Sequence, residues 1–184
     1  ESIEGKLPAP RAGTTRRAAL SGFALGTVAT ALAASGLMLV VMRRDDQQRI
    51  LGEVVSAHLR SLQAQHLIDV ASSDQHTVKP WFNGKVDFAP PVTDFTAEGF
   101  PLVGGRVDYI AGRPVAVLIY KRRQHTINVF IWPSAKAGAE QPRPAAFEGY
   151  HLLRWSASGL TFWAVSDVNS AELESLAQLF RGGA

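Results

Sequence analysis

The chain has no cysteine among its 184 residues. Disulfides, thiolate zinc sites and cysteine nucleophiles are therefore excluded from it. Charge of neither sign dominates: 19 Lys and Arg stand against 16 Asp and Glu. Part of that mild excess lies beside a hydrophobic run and in Lys121-Arg122-Arg123. Arginines flanking such a run are topology signals or headgroup contacts more often than nucleic-acid ligands, so direct nucleic-acid binding is not expected. The chain also lacks a Gly-x-Ser-x-Gly elbow, a His-Glu-x-x-His pair and a glycine-rich phosphate loop between a strand and a helix. The commonest sequence marks of hydrolases, metalloproteases and nucleotide enzymes are thus missing.

What is present is an uncharged apolar run from Ala18 to Met42, bracketed by Arg16-Arg17 and Arg43-Arg44. A bilayer is crossed by roughly 20 apolar residues in a helix, and a soluble helix seldom needs an apolar surface all round. Residues 18–42 are therefore expected to be a transmembrane helix. Residues 1–17, with Pro8, Pro10 and Gly13, are expected to be a flexible arm, and residues 43–184 a domain on the other side. Thr15-Arg16-Arg17-Ala18-Ala19-Leu20 resembles a twin-arginine export signal. The run continues through Leu37 to Met42, longer than a cleaved signal core, which favours an uncleaved anchor. Lys6, Arg11, Arg16 and Arg17 precede the run and Arg43, Arg44 and Arg49 follow it. That bias places the arm in the cytoplasm.

Beyond the run, Ile50, Leu51, Val54, Val55, His58, Leu59 and Leu62 recur at helical spacing, predicting a long helix from about Asp46 to Val70. Ala71 to Pro91 reads as a loop with a Pro80-Trp81-Phe82 anchor, expected to clamp that helix against the rest of the domain. Val86 to Phe88 suggests a short strand, and Thr93 to Gly99 a short helix or turn. Alternation in the first and runs rich in apolar and aromatic residues in the others then predict strands over Leu102–Ile110, Pro114–Tyr120, His125–Trp132, Tyr150–Ser156 and Leu160–Ser166. The unbroken apolar stretch of the second implies cover on both faces. Pro133 to Ala146 reads as a Pro/Ala/Gly-rich loop. Asn169 is placed to cap a last helix, with Glu172 at the capping-box position and Leu173, Leu176, Ala177 and Phe180 as its buried stripe. The fold class is α+β: a transmembrane helix, a long helix, an antiparallel meander of about five strands, and a C-terminal helix covering the sheet.

Candidate chemistry is thin. Ser72, Ser73, Asp74 and His76 carry the residue types of a hydrolase triad, but neighbours in sequence seldom converge on one relay. A turn in which Ser72 or Asp74 binds backbone amides is the simpler account. The five histidines show no ligand spacing, and His58 and His66 lie too far apart on a helix to share an ion. Asp108 falls on the same strand face as Arg106, which suggests a surface ion pair. No catalytic, cofactor-binding or metal residue is assigned.

One string is distinctive: Asp74-Gln75-His76-Thr-Val-Lys79-Pro80-Trp81-Phe82, within Asp69 to Val92. It is followed by Gly99-Phe-Pro-Leu-Val-Gly-Gly-Arg-Val-Asp-Tyr109, His125-Thr-Ile-Asn-Val-Phe-Ile-Trp-Pro133, Gly149-Tyr-His-Leu152 and Phe162-Trp-Ala-Val-Ser-Asp-Val-Asn169. Together these resemble the extracytoplasmic part of bacterial transmembrane anti-sigma factors, over the run and nearly everything after it. The resemblance implies a non-enzymatic, single-pass inner-membrane regulator of transcription with a periplasmic sensory domain. Asp74, Gln75, His76, Lys79, Pro80, Trp81 and Phe82 would form its sensory or structural loop. It implies a sigma factor as partner, bound through a cytoplasmic N-terminal domain, membrane lipid around the span, and a regulatory protease. In the family that domain often carries a His-x-x-x-Cys-x-x-Cys zinc motif. The residues before the run lack the motif and are too few for the domain, so either the chain is truncated or the inhibitory element is absent. The other reading is an anchored or exported envelope binding module with no transcriptional role.

Overall fold

Val115 to Tyr120 is an unbroken run of buried side chains, and the strand that carries it lies inside a sheet covered on both faces. The computed structural model describes residues 38, 41–42, 44–63, 68–72, 74–135 and 137–182. The chain divides between Asp46 and Gln47 into two units. In the first, Met38, Val41, Met42 and residues 44–46 are helical. Most of the apolar run expected to cross a membrane lies outside the described residues. Among those described, no helix is long and apolar enough to cross one.

The second unit begins with a helix, α1 (residues 47–63). Then come β1 (Val70–Ala71), helix α2 (Gln75–Trp81) and a single 3-10 turn at Thr96–Glu98. Six strands follow: β2 (Leu102–Ile110), β3 (Arg113–Arg122), β4 (His125–Pro133), β5 (Glu140–Phe147), β6 (Tyr150–Ala157) and β7 (Leu160–Ser166). Helix α3 (Ser170–Gly182) closes the fold. The seven strands form one sheet in the order β1-β2-β3-β4-β7-β6-β5, antiparallel throughout. It consists of two three-stranded meanders, β2-β3-β4 and β5-β6-β7, joined where β4 pairs with β7.

The α+β class matches the expectation, but several details differ. The strand count is seven rather than about five, because 133–146 is not all loop and Val70–Ala71 adds a short strand of its own. Glu140–Phe147 pairs with β6 as an outermost strand. Pro142 and Pro144 are tolerated there, since a strand's missing N–H groups cost least at a sheet edge. The long helix does not reach Val70. Val70 and Ala71 pair instead with Gly105 and Gly104 on β2, and the Asp69 N–H donates to the Gly105 carbonyl at 3.0 Å. A Cβ on Gly104 would run into the Val70 carbonyl oxygen, so glycine is what lets β1 approach. The Ala71–Pro91 stretch holds a true helix, α2, and the Val86–Phe88 segment contributes only an isolated bridge from Val86 to Asn83. Hairpin turns at Ala111-Gly112 and Ser158-Gly159 have positive φ at both residues, the geometry that suits two-residue connections between twisted strands.

Alternation along the strands builds two cores. On one face Ala116, Leu118 and Tyr120 of β3 join Ile127, Val129, Trp155 and Phe162, beneath α2, the 92–100 segment and α3. The α3 stripe of Leu173, Leu176, Ala177 and Phe180 is buried as expected. Phe180 stands among Phe95, Tyr120, Trp155 and Phe162, with ring centroids 5.2–6.0 Å away. Asn169 caps α3 by accepting the Glu172 N–H at 3.0 Å. The Glu172 carboxylate pairs with Arg122 on β3 at 2.6 Å. On the opposite face Val115 and Val117 join Phe130, Trp132, Leu152, Trp163 and Val165 under Leu51, Val54, Val55 and Ala57 of α1. Leu62, read as part of the α1 stripe, is exposed.

The Pro80-Trp81-Phe82 segment does not clamp α1, because α2 lies on the other sheet face. Its anchor is Phe82, fully buried, with Val78 beside it; Trp81 is only half-buried. Phe82→Ala is expected to lower unfolding stability by about 3–5 kcal/mol. Trp81→Ala, which vacates a partly solvated site, should cost clearly less. Urea midpoints of the two variants test the order, and equal losses would contradict it.

Candidate functional site

The string that carries the family resemblance folds as one small element with two faces. Asp74 caps α2, accepting the His76 N–H at 2.8 Å, and Ser72 Oγ accepts the Asp74 N–H at 3.0 Å. Their side chains hold the turn, as short polar side chains do at helix starts. Gln75 opens the helix. Val78 and Phe82 point into the core, where the Phe82 ring lies against Gly105; a Cβ there would come within 2.8 Å of it. Trp81 meets Phe82 edge-on at 5.2 Å and carries the Lys85 ammonium 4.6 Å above its ring. His76, Lys79 and Pro80 are exposed and, with Val92, line a cleft of about 370 Å³. Of the seven residues singled out from sequence, three thus share a cleft. Asp74 shapes the turn, Phe82 belongs to the core, and Trp81 bridges the two environments. Ser73 lies outside the described residues.

The remaining histidines do not converge. His125 pairs with Asp167 at 2.9 Å, and His151 Nδ1 lies 3.2 Å from Ser170 Oγ. His66 is outside the described residues. Among the described residues no group of three or more His, Cys, Asp or Glu side chains is arranged to hold a metal ion.

A second constellation lies under α1. His58 and Ser61, three residues apart on the inward face of the helix, are buried against the sheet with Arg106 of β2 and Asn128 of β4. With the Asn128 amide oriented to match its neighbours, its oxygen accepts from His58 Nδ1 at 3.0 Å and from Arg106 Nη2 at 3.1 Å. Ser61 Oγ lies 3.0 Å from the same amide and donates to the His58 carbonyl at 2.7 Å. The Arg106 guanidinium, 3% exposed as a residue, lies 5.5 Å from the Phe130 ring centroid and 3.5 Å from the Asp108 carboxylate. The Tyr150 ring meets His58 edge-on at 5.2 Å. The Arg106–Asp108 pair is therefore not the surface ion pair expected from strand parity, because α1 covers it. Sequence reading placed His58 on the helical stripe and Arg106 on its strand but did not join them. The available signal was a polar residue at each inward position: Asn128 between Ile127 and Val129, and His58 within a Val/Leu face.

Burial chiefly, then the Arg106 charge, push the His58 imidazole down to about 4, against a weaker opposing pull from Asp167. His58 is thus neutral at ordinary pH and donates through Nδ1. What this arrangement does chemically is to hold a helix onto a sheet through a neutral imidazole, whose protonation would place a second buried positive charge beside Arg106.

Compared with known proteins, the chain matches no family model, no curated protein and no solved structure.

Acid should loosen the α1 junction. The folded value for His58 lies below the ordinary 6.5, so the unfolded chain binds the proton more readily. Stability is complete above 6.5 and is lost as pH falls to about 4. The full loss from this one group is about 3 kcal/mol. In urea titrations, His58→Gln should flatten that part of the pH dependence relative to the unsubstituted chain. Identical slopes would show that His58 does not carry it.

Proposed function

We propose that this chain is the anchor and outer sensory domain of a single-span bacterial anti-sigma regulator. The observation that carries the reading is the placement of α1. It starts five residues after the apolar run in sequence, and it is held to the sheet partly by the His58–Asn128–Arg106 junction. A helix tied by hydrogen bonds as well as apolar contact is suited to two discrete arrangements, and a helix that follows a span can pass that difference inward. Two further observations support the reading. Met38, Val41 and Met42 in the apolar run are helical and exposed, as lipid-facing side chains of a span would be. The string with the family resemblance forms one element with a buried anchor and an open cleft.

Strand β2 connects the two constellations. Gly105 lies under Phe82 of α2, and the next residue, Arg106, reaches through to Asn128 on the opposite face. A shift of α2 at the His76–Lys79–Pro80 cleft therefore acts one residue away from the junction that holds α1. In this reading the domain is periplasmic and non-enzymatic, and the span sits in the inner membrane. The sigma factor and any zinc belong to the cytoplasmic side, and a regulatory protease acts on the released form.

Deleting the gene in its source bacterium should derepress a defined set of promoters sharing one recognition signature. Complementation with the unsubstituted gene should restore repression. Asn128→Leu, present at equal level in carbonate-washed membranes, should leave those promoters at least partly open. An unchanged transcriptome on deletion would instead favour the envelope binding module without a transcriptional role.

A further inference from the structure

A second cleft, of about 170 Å³, opens on the α1 face of the sheet, lined by Gln47 and Gln48 of α1, Arg143 of β5, Arg154 of β6 and Trp163 of β7, among others. Arg143 and Arg154 are direct cross-strand partners, and Arg154 is paired in turn with Trp163. The three side chains therefore stand in a row across three strands. Like charges directly opposite one another destabilise a sheet. Here the Glu140 carboxylate engages Arg154 at 2.8 Å, while Arg143 adds a second positive charge opposite it on the neighbouring strand. No carboxylate lines the cleft itself, and Arg143 stands exposed at it. A guanidinium pair beside an indole suits a phosphate, which accepts forked hydrogen bonds and relieves the repulsion.

We infer that the Arg143–Arg154 cleft binds a phosphate-bearing anion, supplied by the headgroup of an anionic phospholipid. The choice of source rests on the anchored reading above. Gln47 follows Met42 by five residues, a stretch that spans at most about 18 Å even when fully extended. Whatever the course of that segment, the wall of the cleft formed by Gln47 and Gln48 stays near the bilayer surface once the run is inserted. Anionic lipid attracts basic side chains within about a Debye length of the surface, ~8–10 Å, and the linking segment is short enough to allow that approach. Lipid held at this cleft would bridge α1 to β5 and β6 and keep the helix on the sheet.

The test uses the full chain in nanodiscs of phosphatidylcholine alone, titrated with the soluble headgroup glycerophosphoglycerol and followed by tryptophan fluorescence. Saturable binding is expected, weakened about tenfold by Arg143→Gln and unchanged by Lys79→Gln. Arg143→Gln is the decisive variant, because its side chain is exposed and the fold does not rest on it. Arg154→Lys, which keeps a cation for Glu140, should weaken binding while leaving the urea midpoint in place. Discs containing phosphatidylglycerol should abolish the response to added headgroup, because the site is already filled. Headgroup binding that ignores Arg143→Gln, or no binding at all, would overturn the site. Inorganic phosphate binding as tightly while phosphatidylglycerol discs leave the site open would overturn the lipid source. Failure of the chain to enter discs would remove the anchored reading, and the same titration of the free chain would still decide whether the cleft takes an anion.

Discussion

The burial of Arg106 is the constraint around which this domain is arranged. A guanidinium removed from water is costly unless its hydrogen bonds and charge are met. Here they are met by the Asn128 oxygen, the Asp108 carboxylate and the Phe130 ring face. The solution requires a strand that places Asn128 inward, a helix that closes over it, and a histidine that stays neutral beside the charge. Each requirement fixes a register. Asn128 pairs with Ile119 on one side and Val165 on the other; a one-residue slip of β4 would turn its amide away from Arg106 and send Ile127 or Val129 into a polar site. Such a junction specifies where α1 lies more than it stabilises the fold, since apolar side chains of similar volume often do as well energetically.

Its position between the two helical layers gives that junction its second property. Gly105 and Arg106 are adjacent, yet one faces α2 and the other α1. The absence of a side chain at Gly105 admits the Phe82 ring, and the long side chain of Arg106 reaches into the opposite layer. Any displacement of the α2 anchor is therefore felt by the backbone that positions Arg106. Well-packed interiors transmit such displacements because they have few voids to absorb them. Demonstrating coupling needs an element with two arrangements, not proximity alone, and α1 is that element in the proposed mechanism.

The apolar framework was legible in the sequence, and the polar details were not. Strands β2, β3, β4, β6 and β7 announced themselves by alternating or continuous runs of β-branched, aromatic and leucine side chains. The α3 stripe was readable because Leu173, Leu176, Ala177 and Phe180 fall on one helical face. Strand β5 was hidden because Pro142 and Pro144 argue against a strand everywhere except at an edge, and edge position is a tertiary fact. Helix α2 was hidden by its shortness, its polar face and Pro80. The end of α1 was misplaced because Ile68 and Val70 suit a helix stripe and a strand equally well, and the Gly104-Gly105 docking surface that decides between them is distant in sequence. The candidate string was recognisable, but the cleft formed by His76, Lys79 and Pro80 depends on Val92 from another segment. The junction under α1 combines four residues from three elements. Each is ordinary by itself, so only their convergence reveals it.

The two edges of the sheet are each closed to a further strand. At one edge, β5 carries two prolines, which withhold N–H groups from any added strand. At the other, β1 covers β2 only at Gly104 and Gly105, and beyond it carboxylates occupy the backbone. The Val107 N–H donates to Asp69 at 3.2 Å and the Tyr109 N–H to Asp108 at 2.9 Å. The Ala111 N–H at the following turn donates to Glu53 of α1 at 2.5 Å. A partner strand would have to displace these acceptors one after another and desolvate their charges. Extension of the sheet is thus disfavoured at both ends, and its centre is buried from both faces. In the proposed mechanism what changes is the docking of α1, which is attached to the sheet in part by hydrogen bonds. Asp108 belongs to both arrangements, since it holds the β2 edge through one oxygen and faces Arg106 with the other. The device that closes the sheet is therefore the same one that helps keep the buried charge, and with it the helix, in place.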